Sequence, residues 1–187
     1  MPDSPHWLQL LTVSIVVLVG AVTDLRTRKI PNWLTLGALP IGFLMAGLLT
    51  GTSGLVSAGL GMFLALLIYF PLYLLRAMGA GDAKLMAAIA TFLGPFMWLH
   101  LFLFASVLGG IVAIIFTAAK GEFRNTLNRS VEILRQLAYF RAPYASNPTL
   151  DIRSARSLSL PHGAVICLSW IVLLVAWEQF DFRLIRL

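Results

Sequence analysis

Only two acidic residues occur between Leu8 and Ala119, and each stands where a long apolar run meets a polar turn. Asp24 lies in Thr23-Asp24-Leu25-Arg26-Thr27-Arg28-Lys29-Ile30-Pro31-Asn32, and Asp82 in Gly79-Ala80-Gly81-Asp82-Ala83-Lys84-Leu85-Met86. Two carboxylates a few ångströms apart cannot both ionise near neutrality, so they share a proton. One then activates a water while the other protonates or polarises a peptide carbonyl, which is hydrolysis without a metal. Gly79 and Gly81 have no Cβ, so an extended peptide can approach the backbone beside Asp82 and be held by main-chain hydrogen bonds. The sequence thus nominates Asp24 and Asp82 as a catalytic pair, with Gly79 and Gly81 binding substrate. Each aspartate also has a structural reading, Asp82 as a helix N-cap and Asp24 as part of a solvated turn. Their isolation in so apolar a region favours chemistry, because charge at membrane depth is costly and marks sites.

The other reactive residue types do not converge. His6, His100 and His162 fall on three separate segments, so no metal cluster is expected and no cofactor is implied. The single cysteine, Cys167, lies inside an apolar run and reads as a buried small residue, with no CxxC pair and no disulfide partner. No Ser, His and Asp gather as a nucleophilic triad would require. Lys84 is two residues past Asp82, on the other side of a helix, and reads as a topology signal or headgroup contact.

The elements that must position the aspartates are apolar helices. Of the 187 residues, 59% are apolar and 12% charged, far from the balance of a soluble globule. A hydrocarbon core of about 30 Å needs roughly 20 apolar residues in helical form, and helices are the open-chain way to satisfy the backbone there. Runs of about that kind cover residues 8–23, 33–50, 55–75, 83–93, 97–119 and 158–177. The prediction is an all-α, polytopic membrane protein of about six transmembrane helices, forming one membrane-embedded peptidase domain over residues 1–187. The first run has no Lys or Arg before it and no small-residue cleavage pattern after it, so it is expected to be a retained helix and not a secretory signal. Gly51-Thr52-Ser53-Gly54 reads as a tight turn, Pro71 as a kink, and Gly94-Pro95 as the tip of an antiparallel hairpin. Gly47 and Gly51 form a weak small-xxx-small pattern.

Between Lys120 and Ser157, Phe123, Leu127, Val131, Leu134 and Ala138 recur at helical spacing, which suits a helix lying on the membrane surface within a basic loop. The net charge of +6 does not point to nucleic acid, because the basic residues are spread over short segments without interleaved aromatics. Arg26, Arg28, Lys29, Arg76, Lys84 and the seven basic residues from Lys120 to Arg156 fall in alternate loops, against Arg183 and Arg186 on the other side. The positive-inside rule makes the crowded side cytoplasmic, with both aspartates at that face and both termini outside.

These motifs resemble those of type IV prepilin peptidases, the bacterial GxGD aspartyl proteases of the inner membrane. In that family an aspartate followed by basic residues and Ile-Pro-Asn comes after the first core helix, as in Asp24 to Asn32. A Gly-x-Gly-Asp-x-Lys-Leu motif opens the fourth, as in Gly79 to Leu85. The chain looks most like the short members that serve tight-adherence, or Flp-type, pili, without the methyltransferase portion and its paired cysteines. Leu160-Pro161-His162-Gly163 resembles a family Pro-aromatic-Gly turn, with His162 where an aromatic is usual. The resemblance implies an aspartic endopeptidase of the bacterial inner membrane that cuts prepilin leaders at the cytoplasmic face. Its substrate is a leader ending in glycine before an apolar helix. The bilayer and the pilus-assembly machinery are the further expected partners.

A rival from another class is a proton-coupled transporter or channel subunit in which the same two carboxylates relay protons. Depth separates the two readings, since a relay needs carboxylates near the midplane or along a continuous path. A non-catalytic assembly scaffold is the third, and it would tolerate replacement of both aspartates.

Overall fold

A computed structural model of the chain describes residues 6–74, 78–121, 127, 128, 131 and 162–179, leaving aside the side chains of 178 and 179. All of the regular structure among them is helical: α1 (Trp7–Thr27), α2 (Asn32–Leu74), α3 (Ala80–Ala119) and α4 (His162–Gln179). The three long helices have the length and apolarity to cross a membrane, and α4 is a shorter apolar helix. Most of the basic loop predicted between 120 and 157 lies outside the described residues, as does the predicted start of the last span at 158–161.

Two glycines divide the longer helices. Gly51 in α2 (φ 68°, ψ −143°) and Gly94 in α3 (φ 68°, ψ 177°) adopt backbone angles open to little else than glycine. At each the chain reverses. The indole Nε1 of Trp98 donates to the Met86 carbonyl at 3.0 Å, although twelve residues of continuous helix would separate them by about 18 Å. Across the other reversal a Cβ placed on Gly47 would stand 3.2 Å from Leu55, and Gly54 packs on the Ala46 carbonyl. The Gly47–Gly51 pattern therefore belongs to a hairpin within one chain. Residues 32–50, 52–74, 80–93 and 95–119 form four antiparallel limbs, which with α1 and α4 make the six predicted.

Three boundaries differ from the expectation. The chain turns on Gly51 alone, and residues 52–54 are already helical. At Gly94-Pro95 the glycine supplies the positive φ and the proline, whose missing N–H costs nothing in a first turn, opens the next limb two residues early. Within α2 the break in helical angles falls at Gly51, while Pro40 and Pro71 sit inside helical stretches.

Burial follows a membrane logic. On α1 one face, Val13, Val17, Gly20 and Asp24, is buried at helical spacing. The opposite stripe, Trp7, Leu11, Ile15, Leu18, Val22 and Leu25, is exposed yet wholly apolar. The same holds on α2, where Leu48 is 77% exposed, and on α3 with Val107, Ile111 and Ile114. An exterior of this kind suits lipid, not water. Residues 85–94 are buried without interruption, so the limb opened by the GxGD motif is the centre of the bundle. Neighbours approach it through small residues: a Cβ on Gly61 would lie 2.5 Å from the Ala90 carbonyl, and Gly42 packs on Thr91. Tyr69 and Phe102 cap this core with Trp98, the last two rings stacked at 5.7 Å.

Candidate functional site

The site lies where α1 ends and α3 and α4 begin. α1 runs a full turn further than the apolar pattern suggests, so Asp24 belongs to its last turn and not to the loop after it. Thr23 and Thr27 return their hydroxyl protons to the Val19 and Thr23 carbonyls at 2.9 and 2.8 Å, which lets polar residues continue the helix. The helix closes on Arg28 in a left-handed conformation (φ 54°), whose N–H donates to the Asp24 carbonyl at 2.8 Å.

Asp24 sits on the buried face of α1 and is 7% exposed. A carboxylate at the C-terminal end of a helix gains nothing from that helix's dipole. Its partner comes from elsewhere: the Gly163 N–H donates to Asp24 Oδ2 at 2.8 Å. Gly163 is the second residue of α4, so its N–H is one of those the first turn leaves open, and an anion is favoured there. The approach is close. A Cβ on Gly163 would stand 3.0 Å from the Asp24 Cβ and 3.2 Å from both Oδ2 and the Gly20 carbonyl. Further along the same pair, Trp170 Nε1 donates to Ser14 Oγ at 2.9 Å, which fixes α4 antiparallel to α1.

Asp82 occupies the first turn of α3, and the N-cap is Gly79, which corrects the expectation of an aspartate N-cap. Three residues into the helix, its carboxylate accepts from the Gly79 backbone N–H, the return half of a capping box. Asp82 lies within Coulombic reach of Asp24 and of the His162 imidazole, so the fold brings the two acids of the apolar region together. His162 Nε2 is buried and, among the described residues, has no hydrogen-bond partner.

Both motif glycines have intramolecular neighbours. A Cβ on Gly79 would meet Asp82 Oδ2 at 3.2 Å, and one on Gly81 would meet the Ile30 Cβ at 3.2 Å. The start of α3 thus rests on the Ile30-Pro31 loop. Lys84 Nζ donates to Asn32 Oδ1 at 3.0 Å, tying the GxGD motif to the Ile-Pro-Asn motif that follows Asp24. Sequence reasoning missed this contact, having treated Lys84 as a topology signal. It also missed Tyr69, a buried phenol within Coulombic reach of Asp82; a tyrosine inside an apolar span was the available clue. Among the described residues no group of three His, Cys, Asp or Glu is placed to hold a metal ion.

Residues 11–114, more than half of the sequence, match the type IV leader peptidase family. The chain belongs to that family. It is similar to a prepilin leader peptidase/N-methyltransferase of Legionella pneumophila, 33% identical over 124 residues that cover 61% of this chain and 42% of that protein. The chain therefore matches less than half the length of this curated relative. No solved structure matches it significantly. The family match includes both aspartates and both glycines but ends before α4, so the bond from Gly163 to Asp24 is a contribution of the fold that the matched stretch does not contain.

Proposed function

We propose that this leader peptidase family member is an aspartic endopeptidase that removes the leader of type IV or Flp-type prepilins, with Asp24 and Asp82 as its catalytic pair. One observation carries the reading. The two acids of the region from Leu8 to Ala119 meet at one end of the bundle, each carboxylate held by a backbone N–H at a helix N-terminus. Such a pair holds one proton between two oxygens with fixed donors behind them. One carboxylate takes a proton from water as the water attacks the peptide carbonyl while the other gives its proton to the carbonyl oxygen; as the diol collapses, the first passes its proton to the leaving nitrogen and the second takes one back from a diol hydroxyl. The active form is singly protonated, so the rate is bell-shaped in pH. Gly79 leaves the backbone beside Asp82 free of a side chain, where the extended leader binds, while Gly81 packs on Ile30 and holds the start of α3 beside it.

A proton relay is less well supported, because a relay needs further polar groups leading across the bundle, and the central limb beyond Lys84 is apolar through Leu93 except for Thr91. The basic-residue asymmetry supports a site on the cytoplasmic side of the inner membrane. Co-expression with Flp-type prepilins from the same genome tests the activity: a leader-sized mass loss is expected, and an uncut prepilin refutes the reading. Orientation is tested by cysteines at positions 27, 80 and 52 in a Cys167→Ser background. Those at 27 and 80 should react with an impermeant thiol reagent only in opened cells, and that at 52 in intact cells; the reverse pattern inverts the topology.

A further inference from the structure

We propose that His162 is a positioning residue of the aspartate site, its imidazole Nε2 serving as the hydrogen-bond partner of the Asp82 carboxylate in the working enzyme. Consecutive residues at the head of α4 would then hold one aspartate each: Gly163 holds Asp24 through its N–H, and His162 holds Asp82 through its ring.

The argument starts from an unmet need. A buried polar atom without a partner is costly and rare, and in native proteins it marks a place where something more is bonded. Among the described residues His162 Nε2 is the one buried side-chain nitrogen or oxygen in that condition. The backbone leaves the ring little freedom of position, because the next residue is pinned to Asp24 Oδ2 at 2.8 Å and pressed against the Gly20 carbonyl. Asp82 is within Coulombic reach of the imidazole and has capacity to spare. A carboxylate offers about four lone-pair sites, and the protein donor that reaches Asp82 from its own turn is the Gly79 N–H. The ionisable groups around this point are Asp24 on α1, Tyr69 on α2, Asp82 on α3 and His162 itself on α4.

A hydrogen bond donated to a carboxylate favours its charged form. Removing the ring donor therefore moves the alkaline limb of the activity profile to higher pH.

The inference rests on the peptidase reading, and the test separates the two. The full chain in lipid nanodiscs cleaves a purified Flp-type prepilin across a pH series, as wild type, His162→Phe and His162→Gln. The pH profile of kcat/KM for His162→Phe is expected to move to higher pH by about half a unit or more, a pH unit being a factor of about ten in proton occupancy. His162→Gln, which keeps an N–H donor at similar reach, should bring the profile back toward wild type. Superimposable profiles for wild type and His162→Phe, even with a loss of thermal stability, overturn the assignment while leaving the peptidase reading standing. If His162→Phe cannot be purified, His162→Met against His162→Gln gives the same contrast between no donor and donor. Failure of the wild type to cleave at any pH overturns both proposals.

Discussion

Asp24 lies in the last turn of α1 and takes its hydrogen bond from a residue 139 positions away, whereas Asp82 lies in the first turn of α3 and takes its own from Gly79, three residues back. The bond to Asp82 is made by local chain geometry and comes with the motif itself, although Asp24, Tyr69 and His162 reach Asp82 from other helices. That to Asp24 is made by packing, and exists only when α4 is docked on α1. The difference teaches that one anchoring bond can form as soon as the α3 start folds, while the other reports on assembly of the whole bundle.

The largest effect expected breaks both halves alike. Asp24→Asn and Asp82→Asn keep the size of the side chain and most hydrogen bonds but cannot take up or deliver the shared proton. General acid–base catalysis contributes roughly 10²–10⁴-fold, so each variant should lose about that much or more in leader removal, scored by mass, while membrane insertion is unchanged. Substantial turnover by either one removes the pair from the mechanism.

The next effect separates the halves. Gly163→Ala puts a Cβ 3.0 Å from the Asp24 Cβ and 3.2 Å from the Gly20 carbonyl, two atoms that cannot move without shifting α1. Overpacking of that kind costs about 1–3 kcal/mol, and the 2.8 Å bond to Asp24 lengthens with it. Gly79→Ala meets only the Asp82 Oδ2 at 3.2 Å, which a small side-chain rotation relieves, and its φ of −74° suits alanine. Gly163→Ala should therefore lower both thermal stability and kcat, by tenfold or so at about 1.4 kcal/mol of barrier, and Gly79→Ala should change stability and kcat much less, its cost falling on KM for the leader. Equal losses would mean that Asp24 is not held by packing as described.

The same contrast decides what could be read from the sequence. Six apolar limbs were legible because bilayer thickness dictates their length, and the reversal at Gly94-Pro95 was legible because glycine and proline have distinct backbone chemistry. The aspartate pair stood out through the absence of other acids. The end of α1 was misread since Thr23 and Thr27 look like loop residues until their hydroxyls are seen bonding back to Val19 and Thr23. Gly163 as the donor to Asp24 was invisible, because nothing in the sequence near residue 24 or 163 encodes a contact across that separation. His162 stood out as a departure from a pattern, without the burial that leaves its Nε2 unpaired among the described residues.

A third prediction uses the far end of the bundle, away from the aspartates. Gly51 and Gly94 share a φ of 68°, but a side chain at 51 meets open space while one at 94 meets Ser57. Residues forced into this region cost about 1–3 kcal/mol each. Both alanine variants should melt lower, Gly94→Ala more so, and only Gly94→Ala shifts the limb that carries Asp82. Thermal unfolding in detergent, followed by cleavage rate per folded molecule, checks this: the rate should hold for Gly51→Ala and fall for Gly94→Ala.

The smallest effect concerns the tether between the two motifs. Lys84 Nζ reaches Asn32 Oδ1 at 3.0 Å, but the pair is exposed, and a hydrogen bond of this kind contributes on the order of 1 kcal/mol or less. Its position matters more than its strength, since it joins the segment after Asp24 to the first turn around Asp82. Lys84→Met and Asn32→Ala should each cost a few-fold in kcat/KM, and the double variant little more than either one, because each change removes the same contact. Fully additive losses would show that the two side chains act separately, and that the Ile-Pro-Asn and GxGD motifs are aligned by the packing of Gly81 on Ile30 instead.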